Sequence, residues 1–183
     1  MPELNEHTQT YQAVITEPRI YVACLAAYNN GYLHGKWINA NQDESQIHKE
    51  ISKMLEQSPI SNAEEWAIHD YEGFEGAELF EYSSLENVVA LVEFINEHGR
   101  LGAKLLNHFG NDFNDANKAL ENHAGECESL ADFAQELTEE STKIPKNLAF
   151  YIDYEAMAKD MEMSGDVFTI ELRFDQIHVF WAH

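Results

Sequence analysis

Lysine and arginine are scarce in this chain. Together they number 11 against 33 aspartates and glutamates in 183 residues, a formal net charge of −22. Between Lys53 and Arg100 neither occurs. The deficit argues against a protein that binds nucleic acid or an anionic membrane directly, because either would be repelled at long range. It also weakens any enzyme reading that needs a cationic cradle for a phosphate. Cysteine is as sparse: Cys24 and Cys127 lie far apart, neither sits in a Cys-x-x-Cys pair, and two alone make no disulfide framework. No apolar run approaches the ~18 residues of a membrane span. The opening Met1-Pro2-Glu3-Leu4-Asn5-Glu6 has neither a basic n-region nor an apolar h-region, so no signal peptide and a cytoplasmic location are expected. There is no internal repeat and no Gly/Ser/Pro-rich linker. Domain boundaries are therefore expected at tight turns, near Gly73 and near residues 109–111.

Catalytic motifs are missing as well. There is no Gly-x-x-x-x-Gly-Lys-Ser/Thr, no Gly-x-Ser-x-Gly, and no Gly-x-Gly-x-x-Gly after a strand. The nine histidines include no His-Glu-x-x-His. Glu65 and His69 stand four apart in a stretch that reads as strand, and His34, His98, His108 and His123 share no ligand spacing. The spaced aspartates of a calcium loop are absent. Glu126 and Glu128 flank Cys127 and should raise its pKa, the opposite of what an activated thiolate needs. No catalytic residue, metal site or cofactor is expected.

What is present is acid on a folded background. Residues 61–140 carry nineteen acidic side chains against Arg100, Lys104 and Lys118. Leu85, Val88, Val89, Leu91, Val92, Phe94 and Ile95 lie among them, whereas disordered acidic segments lack such residues. An apolar content of 44% suffices for a core. A salt-adapted surface would spread its acids over the whole chain, but here they concentrate in the middle. Like charges at this density cost stability, so a basic partner is the natural reason to keep them.

The pattern predicts an α+β chain. Residues 1–17 read as a polar leader, with a short ordered piece at 11–15. Residues 18–72 read as an N-terminal α/β part: strands at 19–25, 33–40 and 65–71, and a helix over 43–57 in which Ile47, Ile51 and Met54 share one face. Gly35 within the second strand suggests a bulge or a close backbone approach. Ser61-Asn62-Ala63-Glu64 matches a capping box and predicts a short helical turn. Residues 73–109 read as a central helical part, its first helix opened by Ser83-Ser84-Leu85-Glu86 and ended by His98-Gly99, its second running to Phe109. Residues 110–183 read as a C-terminal α+β part. Asp112 caps a helix broken by Gly125, Ser129 caps the next, and residues 148–152 are extended. Asp153 caps a helix that stops near Gly165, and a terminal hairpin joins 167–172 to 177–182. Phe180 and Trp181 need cover, from the fold or from a second subunit.

The acids proposed to meet the partner are Glu72, Glu75, Glu78, Glu81, Glu86, Glu93, Glu97, Asp112, Asp115, Glu121, Glu126, Glu128, Asp132, Glu136, Glu139 and Glu140. They recur on successive short helices, and only Glu139, with Lys143, has a basic residue at i+4. B-DNA carries one charge per ~1.7 Å of axis, so twenty-two net charges match about 11 base pairs. A Lys/Arg-lined DNA channel would meet such a surface as it meets DNA. The alternative is an acidic binding protein or chaperone for some other basic, DNA-binding protein.

Several spaced blocks also resemble the ArdA antirestriction family. Pro18-Arg19-Ile20-Tyr21-Val22-Ala23-Cys24-Leu25-Ala26-Ala27-Tyr28-Asn29-Asn30-Gly31 with Leu33-His34-Gly35-Lys36-Trp37-Ile38 is similar to its N-terminal signature, and Glu65-Trp66-Ala67-Ile68-His69-Asp70-Tyr71-Glu72 to its next block. Leu105-Leu106 through Phe109-Gly110, Ala119-Leu120, Ala124-Gly125-Glu126, Ser129-Leu130-Ala131-Asp132-Phe133-Ala134 and Glu136-Leu137-Thr138 resemble its antirestriction region. The resemblance implies an elongated three-part chain and a homodimer joined through the C-terminal parts and shaped like bent B-DNA. It implies inhibition of type I restriction–modification enzymes through their DNA-binding groove, and a gene on mobile elements. It carries over no catalytic residue.

Overall fold

The computed structural model describes residues 17–182 of the chain. The polar leader, apart from Glu17, and the ordered piece expected at 11–15 lie outside the described residues. The chain is mixed α+β and divides into two compact units, one up to Gly73 and the other from Phe74. Among the described residues each unit contains one antiparallel three-stranded sheet.

In the first unit, β1 (Arg19–Cys24) is followed by a short helix α1 (Leu25–Asn29), β2 (Gly35–Asn39), α2 (Glu44–Glu56) and β3 (Trp66–Glu72). The sheet order is β2-β1-β3. β1 is the centre because its alternation serves one core: Ile20, Val22 and Cys24 are fully buried. Against them α2 lays Ile47, Ile51 and Met54, all buried at helical spacing. Arg19 pairs with Glu72 across the sheet and lies 4.8 Å from the Trp37 ring centroid. The close approach expected at Gly35 is there: a Cβ on it would fall 2.6 Å from the Val22 carbonyl oxygen. Two expectations need correction. The strand begun at Arg19 turns into α1 after Cys24, whose Sγ accepts from the Ala27 N–H and so caps that helix. The capping box at Ser61 opens no helical turn. Residues 61–62 form a turn, with Asn62 at φ 59°.

The second unit runs α3 (Leu85–His108), α4 (Phe113–Glu121), β4 (His123–Cys127), α5 (Leu130–Ser141), a 3-10 turn (Ala149–Tyr151), α6 (Tyr154–Ser164), β5 (Val167–Arg173) and β6 (Gln176–Trp181). Its sheet order is β4-β6-β5. Phe133 of α5, Val167 of β5 and Val179 of β6 form the heart of one core, with Leu130, Leu137 and Met161 packed against it. Phe180 is fully buried between the rings of Phe168 and His123, both 5.0 Å away, so the fold itself supplies its cover.

The two helices expected on either side of Gly99 are the two segments of α3, which meet at Gly99 in a non-helical conformation, φ 60° and ψ −150°, that suits glycine. Residues 148–152, expected as extended, contain the 3-10 turn instead. β4 was not anticipated. His-Ala-Gly-Glu-Cys has no alternation and little strand propensity, and it is held by pairing with β6 from Cys127↔Ile177 to His123↔Phe180.

Candidate functional site

Two helices of the second unit set acids in rows. On α3 the Ser84 hydroxyl accepts from the Asn87 N–H and starts the helix, one residue later than the Ser83 box suggests. Leu85, Val88, Val92 and Ile95 then turn inward. Glu86, Glu93 and Glu97 follow at steps of seven and four residues, which returns each to the same exposed face. On α5 Ser129 caps the helix through the Asp132 N–H, and Phe133 and Ala134 are buried. Asp132, Glu136, Glu139 and Glu140 are all exposed on the other side.

The local electrostatics of α5 are unfavourable as they stand. Its last turn has no basic residue, and Glu139 and Glu140 sit where the helix dipole is already negative. Asp132/Glu136 and Glu136/Glu140 are like-charge pairs at i,i+4, each destabilising by ~0.2–0.5 kcal/mol. Among the described residues Glu86, Glu93, Glu136 and Glu140 have no ion-pair partner.

The remaining expected acids differ in what they are free to do. Glu72 lies on β3 in the first unit and is neutralised by Arg19. Asp112 caps α4, accepting from the Asn114 and Asp115 N–H groups at 2.9 and 3.0 Å. Asp115 holds Lys118 at 2.9 Å. These three have structural partners of their own. Glu75, Glu78 and Glu81 lie on the loop before α3, Glu121 ends α4, and Glu128 follows β4. Glu126 on β4 accepts from Gln176 at 2.9 Å. Sequence reasoning missed Glu155, Asp160 and Glu162. They are exposed on α6, which packs against α5. The signal was available, since residues 153–166 hold five acids and one lysine. Residues 74–183 together carry 22 acids against 7 lysines and arginines, a net −15.

A family model described as antirestriction protein (ArdA) matches residues 20–175. The chain belongs to the ArdA antirestriction family. The match runs from β1 to the turn between β5 and β6. It spans every acid named above. The family's role is inhibitory rather than catalytic. No curated protein matches the chain.

Three titratable groups of this ArdA chain meet where β4 pairs with β6. His123 Nε2 and His178 Nδ1 lie 3.0 Å apart, and His178 Nε2 faces Glu126 Oε2 at 3.7 Å. Burial first, and the His123 charge second, push the His178 pKa below its usual value, while Glu126 opposes them. Cys127 is pushed up, as expected, but chiefly by burial. The charges that add to it are led by Asp132 and Glu136 rather than by its sequence neighbours. Among the described residues no three His, Cys, Asp or Glu side chains are grouped to hold a metal ion. No described helix is long and apolar enough to cross a membrane.

Proposed function

We propose that this chain blocks type I restriction–modification enzymes by occupying their DNA-binding groove as a stand-in for B-form DNA. The observation that carries the proposal is α5. Its four exposed carboxylates span nine residues, eight steps of rise or about 12 Å of helix. One strand of B-DNA, at 3.4 Å per charge, places roughly 3.5 phosphates in that length. A row of that density, none of whose members forms an ion pair among the described residues, suits a cationic channel better than it suits the helix. The sixteen acids from Glu72 to Glu140 act as an array in this reading, with the smallest shares from Glu72, Asp112 and Asp115, which are already engaged. No bond is made or broken, no cofactor is used, and the chain does not itself bind nucleic acid. The homodimer through the C-terminal part, the division at 18–72, 73–109 and 110–183, the cytoplasmic location and the mobile-element origin belong to the same proposal.

The test is displacement of labelled duplex DNA from a type I restriction–modification complex at two salt concentrations. Displacement at near-stoichiometric protein, weakening as salt rises, is expected, because both surfaces release counterions on contact. No displacement at either salt would overturn the proposal and turn attention to a different basic protein as the partner.

A further inference from the structure

The acidic array of the second unit has a gap. Between Glu97 and Asp112 there is no acid, the longest such stretch in residues 74–183. The gap holds Arg100 and Lys104, two of the three lysines and arginines in residues 61–140. It coincides with the second segment of α3. Glu86, Glu93 and Glu97 lie on the first segment, the helix breaks at Gly99, and Arg100 opens the segment that ends at His108. Helix α3 therefore changes sign at Gly99. Gly102, Ala103, Leu105 and Leu106 are buried and fix which way the second segment faces. Arg100, Lys104 and His108 follow at four-residue steps on the opposite side. Arg100 and His108 are exposed, and Lys104 is half-buried. His108 is held flat against Phe168 of β5, with ring centroids 4.8 Å apart. Neither Arg100 nor Lys104 has an ion-pair partner among the described residues. Glu97, three residues before Arg100, faces His98 instead, at 3.8 Å. The two cations repel each other at i,i+4, and a cation in the first turn of a segment is set against the helix dipole. The helix gains nothing from Arg100 at this position.

We infer that Arg100 and Lys104 are a register mark: they meet carboxylate side chains of the restriction enzyme beside its cationic channel and so fix where along that channel the DNA stand-in lies. The inference rests on the proposed function for the identity of the partner. What it adds is an acidic patch on that partner. A uniformly negative rod is free to slide in a cationic channel, as proteins slide along DNA. A patch of opposite sign stops the sliding, because every register that sets cation against cation is penalised. Arg100 and Lys104 are about 6 Å apart in helix rise, so two neighbouring Asp or Glu side chains suffice to meet them. The sign of the effect separates this reading from simple charge attraction. If only the sum of charge mattered, removing two cations would strengthen binding to a cationic channel. A register mark predicts that the same change weakens it.

Two measurements decide it. The first compares three proteins in the displacement of labelled duplex DNA from the restriction enzyme: the parent, the pair Arg100→Gln with Lys104→Gln, and the pair Lys49→Gln with Lys53→Gln. The last makes the same change of charge at the same spacing, on the exposed side of α2 in the other unit. At unchanged melting temperature, about tenfold more of the Arg100/Lys104 variant should be needed, and no more of the Lys49/Lys53 variant than of the parent. Arg100→Lys, which keeps the charge, should stay close to the parent. Equal displacement by the parent and the Arg100/Lys104 variant overturns the register mark and leaves the DNA stand-in standing. Equal weakening in both double variants also overturns it. If the parent itself displaces nothing, the proposed function fails and takes the register mark with it. In the second measurement the complex of the parent with the enzyme is treated with a carbodiimide, which joins an amine to a carboxylate in contact with it. Lys104 should be found joined to an Asp or Glu of the enzyme. Lys104 joined only to acids of its own chain or of a second copy overturns the inference.

Discussion

His178 is 8% exposed, and burial pushes its pKa below the usual value. A histidine whose folded pKa lies below its unfolded value of ~6.5 binds fewer protons folded than unfolded once the pH falls under that value. Its contribution to stability is therefore complete above pH ~6.5 and is lost as the pH drops through the folded pKa. Below pH 6.5 the parent protein should lose stability relative to His178→Phe, and the difference between the two melting curves removes the common contribution of the carboxylates. A parallel pH dependence of the two would show that His178 titrates normally. Nothing in the sequence joins His178 to His123, because 55 residues separate them. The pairing of β4 with β6 joins them, and β4 carried no readable pattern. Cys127 makes the same point. The direction of its shift follows from Glu126 beside it, but its main cause, burial, is visible only once α5 covers it.

At the scale of the element, α5 sets function against stability. Replacing Asp132, Glu136, Glu139 and Glu140 together by Asn or Gln removes the like-charge contacts along the helix and at its C-terminal end. Thermal stability should rise, by about 1 kcal/mol from two i,i+4 pairs and the relieved dipole. The same variant should displace DNA from the restriction enzyme at least tenfold less well and with a shallower salt dependence, while Glu136→Gln alone should be nearly silent. A lone substitution that abolishes inhibition with the fold intact would point to a discrete site instead. Helices of this kind were legible because their starts are chemical. Asp112, Ser129 and Asp153 cap where the sequence places them, each through a side-chain oxygen on a backbone N–H. The failures were places where a local pattern lost to its surroundings. Ser61 has the capping pattern but no helix follows, since the chain must turn at Asn62 and enter β3 four residues later. Residues 148–152 are apolar enough for a strand but find no neighbouring strand to pair with, and close into a 3-10 turn with Phe150 and Tyr151 exposed.

For the whole molecule, salt should act in opposite directions on folding and on inhibition. A net −22 repels itself, and screening at higher ionic strength relieves that repulsion. The melting temperature should rise from low to physiological salt, over the same range in which displacement of DNA weakens. A melting temperature that falls with salt would mean that the unpaired acids are not what limits stability. The excess of acid was fully legible, because net charge is a sum that needs no fold. Which acids remain free was not. Arg19 neutralises Glu72 from 53 residues away, while Lys118 reaches Asp115 from the next turn of its own helix.

The strand orders β2-β1-β3 and β4-β6-β5 also impose a timetable on synthesis. In the first unit the central strand leaves the ribosome before both of its neighbours, so each later strand emerges to a partner that is already waiting. In the second unit the central strand follows both neighbours. Neither β4 nor β5 can complete a ladder until residues 176–181 have been made, and the half of the protein with the most charge is the last to be able to close.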